Sequence, residues 1–360
     1  TMEVGMIGER LRHARTSVGL SLRTLAEQVG LSHATIKKYE DGKAMPSSST
    51  LLKLAQALGV HVEYFFRASA PELENLEFRK RKSLSTKQLK IIKHKVLDGI
   101  ERHLELERLF PIAENQSFTV PTTIPRHIAH IDDIEDVAIA LRQAWSLGVD
   151  PIPCLVDVLE AFGVRVLLIT PDEDKKFDGL ASSIDGKPLV VVSTRWPGDR
   201  QRFTLAHELG HLVLHGRLAT SIDEEKACNR FAGAFLFPRD AVLFLLGEKR
   251  KSFELKELAL LKQDFGLSMQ GIFYRAYDLG IITSNHLLSL QKLFAKQGWQ
   301  KCEPGLAYPS ESTQLFTQRV LRAYSEEVIG EAKAAELLGI SITQLQKDLN
   351  LEPVHADAHQ

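Results

Sequence analysis

Apolar positions in the first 66 residues recur at helical spacing in short runs that glycines interrupt. Ile7, Leu11, Ala14 and Val18 fall on one helical face, and Gly19 stops that run. Ser21 opens a second run through Leu22, Leu25, Ala26 and Val29, which Gly30 ends. Ser32 then caps SHATIKKYE, closed by Gly42, and Thr50–Leu58 forms a fourth helix ended by Gly59. The second and third helices are separated only by Gly30-Leu31-Ser32. Two short helices across such a turn predict a helix-turn-helix, whose second helix can enter the major groove.

A Pro/Ser/Ala stretch follows residue 67, and then a long basic helix over roughly Thr86–Phe110. FTVPTTIPRH reads as a linker or extended arm. We place a domain boundary near residue 70 and assign the basic helix to the second domain or its connector. Two helices are predicted next, Ile134–Leu147 and one that starts near Pro151 and Pro153 and runs to Phe162. VRVLLIT has the β-branched pattern of a buried strand, and DGLASSI and KPLVVVS form two more around the turn dipeptide Asp185-Gly186. RQRFTLAHELGHLVLHG is a helix closed by Gly216, and EEKACNRFAGAFLF is another, stopped by Pro238. The remainder is mainly helical, ending in two helices across Gly339-Ile340-Ser341. The fold class is therefore mainly α with a small β-sheet, α+β.

Composition adds little to this picture and excludes several classes. The 360 residues suggest two or three domains, and 44% hydrophobic with 25% charged residues is ordinary for a globular chain. No apolar run is long enough to span a bilayer, and the first residues lack the apolar core of a signal peptide. Cys154, Cys228 and Cys302 are far apart and form no CxxC pair, so a reducing cytoplasm and no disulfide framework are expected. The net charge of −1 conceals asymmetry. Residues 1–67 carry nine Lys/Arg against six Asp/Glu, and residues 76–110 carry ten against five. A basic front suggests a polyanionic partner near that end.

The densest chemistry is His207-Glu208-Leu209-Gly210-His211. With 13 His in the chain, random placement yields this HExxH pattern about 0.04 times. Residues four apart on a helix lie on one face, so the two imidazoles can converge on one cation. Glu208 beside the first ligand can act as general base on a water and then pass the proton to the leaving amine. A zinc peptidase needs a third ligand. His215 lies too far along the same helix and is read as a packing or supporting residue. Glu225 on the following helix completes a His₂Glu set, with Asn229 one turn later to orient a ligand imidazole. Glu224 is a rival about 100° away around the helix. Cys228 is read as core.

LAHELGHLVLH followed by EEKACNRFAGAFLFP resembles the ImmA/IrrE family of metallopeptidases, and the resemblance extends over roughly residues 130–290. Cys228 stands where that family usually has Ala. The resemblance implies a zincin-like domain holding Zn²⁺ on His207, His211 and Glu225, with Glu208 as base. No oxyanion-stabilising residue is readable; Tyr274, Tyr277 and Arg275 are candidates by type alone. IGERLRHARTSVGLSLRTLAEQVGLSHATIKKYEDGKAMPSSSTLLKLAQALGV resembles the Xre/Cro-type helix-turn-helix family. In that family the third helix reads the groove. The matching exposed positions here are Ser32, His33, Ala34, Thr35, Lys37 and Lys38, while Ile36 and Tyr39 face the core. Lys37 and Lys38 suit phosphates, and His33 and Thr35 suit base edges. Leu22 replaces a Gln that usually supports DNA contact.

These readings divide the chain into an all-α helix-turn-helix head (1–70), a basic helix and linker (71–130), an ImmA/IrrE-like zinc peptidase domain (131–295) and a helical C-terminal module (296–360). The tail KAAELLGISITQLQKDL within that last module is read as a docking element. The expected function is a DNA-binding transcriptional regulator with zinc-dependent endopeptidase activity. Its partners are double-stranded DNA and a protein substrate, which the resemblance suggests is a repressor or antitoxin-like regulator; a homodimer is left open. An alternative makes the peptidase-like domain a sensor or dimerisation module with little turnover. A third reading is self-cleavage within 117–126.

Overall fold

A computed structural model of the protein describes residues 2–60, 62–67, 86–110, 117–170, 177–184 and 186–350. The Pro/Ser/Ala stretch from residue 68 and Asp185 of the expected turn dipeptide lie outside the described residues. The chain forms two compact units. One comprises residues 1–74, 85–115 and 314–360, and the other residues 75–84 and 116–313.

The first unit opens with α1 (Met2–Ser17), α2 (Leu22–Val29), α3 (His33–Glu40), α4 (Ser48–Leu58) and α5 (Thr86–Arg108). Serines start three of these helices. Ser21, Ser32 and Ser47 accept from the backbone N–H groups of Thr24, Thr35 and Thr50, which no intrahelical carbonyl can reach. The cap at Ser47 starts α4 two residues before Thr50. Ile7, Leu11, Ala14, Leu25, Ile36, Leu54 and Phe65 form the core of this head. Val18, expected on the apolar face of α1, is exposed because the helix ends at Ser17 and the chain turns at Gly19.

The second unit contains α6 (Ile134–Ala144), α7 (Leu155–Ala161), β1 (Arg165–Ile169), β2 (Gly179–Ile184), β3 (Lys187–Ser193), α8 (Gly198–Leu214), α9 (Glu224–Leu236), α10 (Arg239–Leu246), α11 (Leu255–Phe265), α12 (Met269–Asp278) and α13 (Ser284–Lys296). The sheet order is β1-β3-β2. β2 pairs antiparallel with β3, as the turn dipeptide predicts, and β1 pairs parallel with β3 on its other side. β3 is buried from Pro188 to Ser193, which fits a central strand covered on both faces. α6 stops three residues short of Leu147, because Ser146 takes a positive φ. The strip 117–126 is anchored rather than loose: Ile124 is buried, and Arg217 donates to the Pro125 carbonyl.

Residues beyond α13 remain with this unit as far as residue 313, so the expected break at 296 falls within it. Two glutamates, Glu303 half-buried and Glu311 buried, explain why. Glu303 accepts from the N–H groups of Met269 and Gln270 at the start of α12 and from Lys262 Nζ. Glu311 accepts from Leu155 and Val156 at the start of α7 and from Arg202 Nη1 at 2.6 Å. Each carboxylate satisfies orphan donors at a helix N-terminus, where the macrodipole also favours negative charge.

The chain then returns to the first unit as α14 (Gln314–Ser325), α15 (Glu331–Leu338) and α16 (Ile342–Leu349). Leu106 and Phe110 from the end of the basic helix pack with Phe316, Val320, Ala334 and Leu345. The basic helix thus belongs to the first unit, contrary to its expected place. Ion pairs fix it there: Arg10 reaches Glu101 at 2.6 Å, and Arg67 reaches Asp98 at 2.8 Å and Glu336 at 2.6 Å. The turn from α15 to α16 repeats that from α2 to α3, with Gly339 left-handed like Gly30 and Ser341 capping like Ser32. No helix among the described residues is long and apolar enough to cross a membrane.

Candidate metal centre and nucleic-acid interface

α8 is an interior helix, with His207 and Glu208 6% and 3% exposed. α9 starts at an Asp223 cap, whose carboxylate accepts from Lys226 N. Gly210 lets the two helices approach. A Cβ there would lie 3.1 Å from Phe231 and 3.3 Å from the Cys228 backbone, so the glycine inside HELGH sets the spacing between imidazoles and carboxylate. Cys228 is fully buried at this contact, as expected of a core residue.

His207 Nδ1 lies 2.9 Å from Asn229 Oδ1, and His211 Nδ1 lies 3.0 Å from Glu224 Oε1. Both partners are acceptors, so each Nδ1 carries the ring proton and each Nε2 presents a lone pair. The two Nε2 atoms face each other at 3.2 Å. Glu225 adds its carboxylate, with Oε2 3.4 Å from His207 Nε2 and Oε1 3.5 Å from His211 Nε2. Three lone-pair donors with no proton between them repel one another unless a cation lies among them. Bonds of about 2.0–2.1 Å at tetrahedral angles separate ligand atoms by about 3.3–3.4 Å. The separations of 3.2, 3.4 and 3.5 Å, the last two to different oxygens of the one carboxylate, lie near that figure, so two imidazoles and a carboxylate fit a divalent ion. Burial, followed by the opposing pull of Glu208 and the push of His211, holds the His207 pKa below the ordinary imidazole value, favouring the neutral, ligating form.

The structure therefore brings His207, His211, Glu225 and Asn229 together. It gives Glu224 a part the sequence reading missed, as partner of His211 rather than rival to Glu225. The first residue of α9 can reach over the imidazole lying closer to the C-terminus of α8, while Asn229 serves the other. His215 is exposed at the C-terminal cap of α8 and takes no part, so it is not the packing residue expected. Arg275 is also removed from the oxyanion candidates: it is buried and clamps Glu135 at 2.7 and 2.9 Å.

On the head, Ser32, His33, Ala34, Lys37 and Lys38 are exposed and Thr35 is half-buried, while Ile36 is buried and Tyr39 partly so. The Ser32 and Thr35 hydroxyls are 2.8 Å apart, and Ser32 caps the helix, which leaves His33 as the freer polar group of its first turn. Lys37 pairs with Asp41 at 2.6 Å, and Asp41 also draws Arg12 and Lys43.

Fold and site together define a helix-turn-helix protein carrying a metallopeptidase-type helix pair. The helix-turn-helix family model matches residues 11–65, and that of the IrrE N-terminal-like domain matches residues 159–277. An uncharacterized transcriptional regulator in the ATPase CF(0) region of Rhodospirillum rubrum is 43% identical over 60 residues, 17% of this chain and 56% of that protein. The cryptic phage CTXphi transcriptional repressor RstR of Vibrio cholerae is 32% identical over 77 residues, 21% of this chain and 69% of that protein. Among solved structures, the restriction-modification controller protein C.AhdI of Aeromonas hydrophila is 36% identical, matching 18% of this chain and all of its own, with a TM-score of 0.18. The chain thus spans a little over half the length of the Rhodospirillum relative. It belongs to the helix-turn-helix family through its head and joins that head to an IrrE N-terminal-like, metallopeptidase-family domain.

Proposed function

We propose that this protein is a DNA-binding transcriptional regulator whose second unit is a zinc-dependent endopeptidase acting on a repressor or antitoxin-like regulator. The observation that carries the reading is the convergence of His207 Nε2, His211 Nε2 and the Glu225 carboxylate with both ring protons directed away. His207, His211 and Glu225 hold the ion. When bound, Zn²⁺ supplies Lewis-acid chemistry for peptide-bond hydrolysis. Glu208, adjacent in sequence to His207 and buried, takes the proton of the attacking water and delivers it to the leaving amine. Asn229 keeps His207 in the ligating tautomer. On the head, Lys37 and Lys38 contact phosphates, and Ser32, His33, Ala34 and Thr35 lie toward the bases.

The test compares wild type with Glu208→Gln. Purified protein is expected to hold one zinc per chain, and His207→Ala to lose it. Glu208→Gln is expected to keep the zinc and DNA binding yet cut nothing. Proteomic mass spectrometry then identifies cellular proteins cleaved only by wild type. If Glu208→Gln preserves the full transcriptional output, the peptidase step is unnecessary and the domain acts as a sensor.

A further inference from the structure

Beside the metal centre, and sharing Asn229 with it, lies a cleft of about 770 Å³ within the second unit. Phe203, one turn before His207 on α8, and Lys226, Asn229, Arg230 and Gly233 along α9 form two sides, and α12 forms the third. The α12 wall carries Tyr274, Tyr277 and Asp278, the two rings 50% and 41% exposed. Tyr274 and Asp278 are four residues apart and so share a helix face. Arg230, the residue after Asn229, donates to the Asp278 carbonyl at 3.1 Å, which ties the end of α12 to α9.

The charges of this wall are unevenly satisfied. Glu135 receives Arg275 through two bonds and Arg230 through a third, at 3.2 Å. Arg230 Nη1 is committed to Asp132 at 2.7 Å. Asp278 receives no side-chain hydrogen bond among the described residues, and the nearest guanidinium nitrogen, on Arg275, is 3.9 Å away and already clamped on Glu135. Lys226 lines the α9 side of the cleft, the two arginines are committed to Glu135 and Asp132, and Asp278, the carboxylate of the three without a side-chain hydrogen bond among the described residues, lines the cleft at the C-terminal end of a helix where the dipole favours a cation. Burial pushes the Asp278 carboxyl up to about 6, against the pull of Arg230 and Arg275.

We propose that this cleft is the substrate subsite next to the scissile bond and that it takes a basic residue, lysine or arginine. The cation pairs with Asp278, and its methylene stem lies against Tyr274 and Tyr277. A carboxylate flanked by exposed aromatic rings suits a long cationic side chain, whose stem is apolar and whose head pairs with the acid and the ring faces. Phe203 lines the cleft from α8, and the Arg275 side chain packs against the Gly233 backbone at its floor. The inference rests on the peptidase reading for its placement beside a scissile bond, and on the cleft alone for its choice of side chain.

The test uses zinc-loaded, full-length Glu208→Gln protein immobilised on a column. The probe is a pentapeptide library with Lys, Arg, norleucine or Glu fixed at the central position and the other positions mixed. Peptides retained are read by mass spectrometry. Enrichment of Lys and Arg over norleucine by about tenfold is expected, falling to parity in the Glu208→Gln/Asp278→Asn protein and inverting toward Glu with Asp278→Lys. Retention without a basic bias, no retention of any peptide, or a bias that survives Asp278→Asn overturns the proposal. Thermal melts accompany each variant, and Asp278→Asn, nearly isosteric, keeps the comparison meaningful should the lysine variant fold poorly. Wild type is also incubated with peptides from a proteome cut after glutamate. Cleavage without basic preference refutes this subsite while leaving the peptidase reading intact. Basic-peptide retention with no cleavage refutes the peptidase reading while leaving the cation site intact.

Discussion

Removing the groups that hold the two ring protons should weaken metal binding by unequal amounts. Asn229 and Glu224 each touch one imidazole at the atom turned away from the ion, at 2.9 and 3.0 Å. Loss of such a partner typically costs 10–100-fold in metal affinity, because the ring can rotate or take the wrong tautomer. Glu224 is half exposed, so water can replace part of its pull, and Glu224→Ala belongs near the lower end, about tenfold. His207, whose side chain is buried, has less access to a substitute water, so Asn229→Ala belongs near the upper end, about 100-fold. Since the two act on different rings, the double variant should lose close to the product of the two factors. Glu225→Ala removes a ligand and should exceed either single loss. Titration of zinc against a chromophoric chelator measures all four proteins without requiring turnover. If Glu224→Ala matches or exceeds Glu225→Ala, the carboxylates have been assigned in the wrong register. If neither Glu224→Ala nor Asn229→Ala alters affinity, the ring protons are not held by these two side chains.

Three further outcomes are expected. Glu311→Ala leaves the fully buried Arg202 without its carboxylate and orphans two N–H groups of α7, so calorimetry should show a loss of about 3–5 kcal/mol, roughly 6–20 °C in Tm for a unit of this size; a loss no greater than that of the exposed-site control Glu326→Ala would refute it. Lys37→Ala should weaken binding to every duplex and reduce the salt slope by about one, whereas Asp41→Asn, by freeing the Lys37 ammonium, should strengthen non-specific binding; fluorescence anisotropy against KCl reads both. Asp278 has a folded pKa of about 6, above its unfolded value, so its contribution to stability is complete below pH 4 and lost as pH rises through 6; Asp278→Asn should gain on wild type over that interval by up to about 3 kcal/mol in urea melts, and parallel pH profiles would count against it.

The helical head was legible because its signals are local. Serine caps, left-handed glycines and apolar spacing mark each short helix, and Ile36 and Lys37 fall on the faces their periodicity assigns. The pair HELGH and Glu225/Asn229 was legible for a related reason: each half repeats at one helical turn, and only the distance between the halves was missing. What escaped notice depends on contacts made across long separations. Glu303 and Glu311 lie in a stretch without regular pattern, yet they cap helices 34 and 156 residues away in sequence. The basic helix reads as a connector because its Lys and Arg outweigh its acids, and its placement turns on Arg10 and Arg67, which look like surface charges until their partners are seen. Glu224 could have been read as a partner to His211, since an acid one residue from a ligand carboxylate must face some neighbour. Leu22, Ala34 and His33 carry no internal signal of what they would contact on DNA.

The order of segments has a bearing on any proteolytic nick. The head and α14–α16 lie at opposite ends of the polypeptide but share one compact unit, with the metallopeptidase-family unit inserted between them. Severing the exposed Thr122–Thr123 link would therefore yield two pieces on a denaturing gel. The same sample would still migrate as one particle on a sizing column, held by the Arg67–Glu336 bond and the packing of Phe110 on Phe316 and Val320. Release from an operator could not be inferred from band patterns, and a footprint or gel shift under native conditions would have to accompany them.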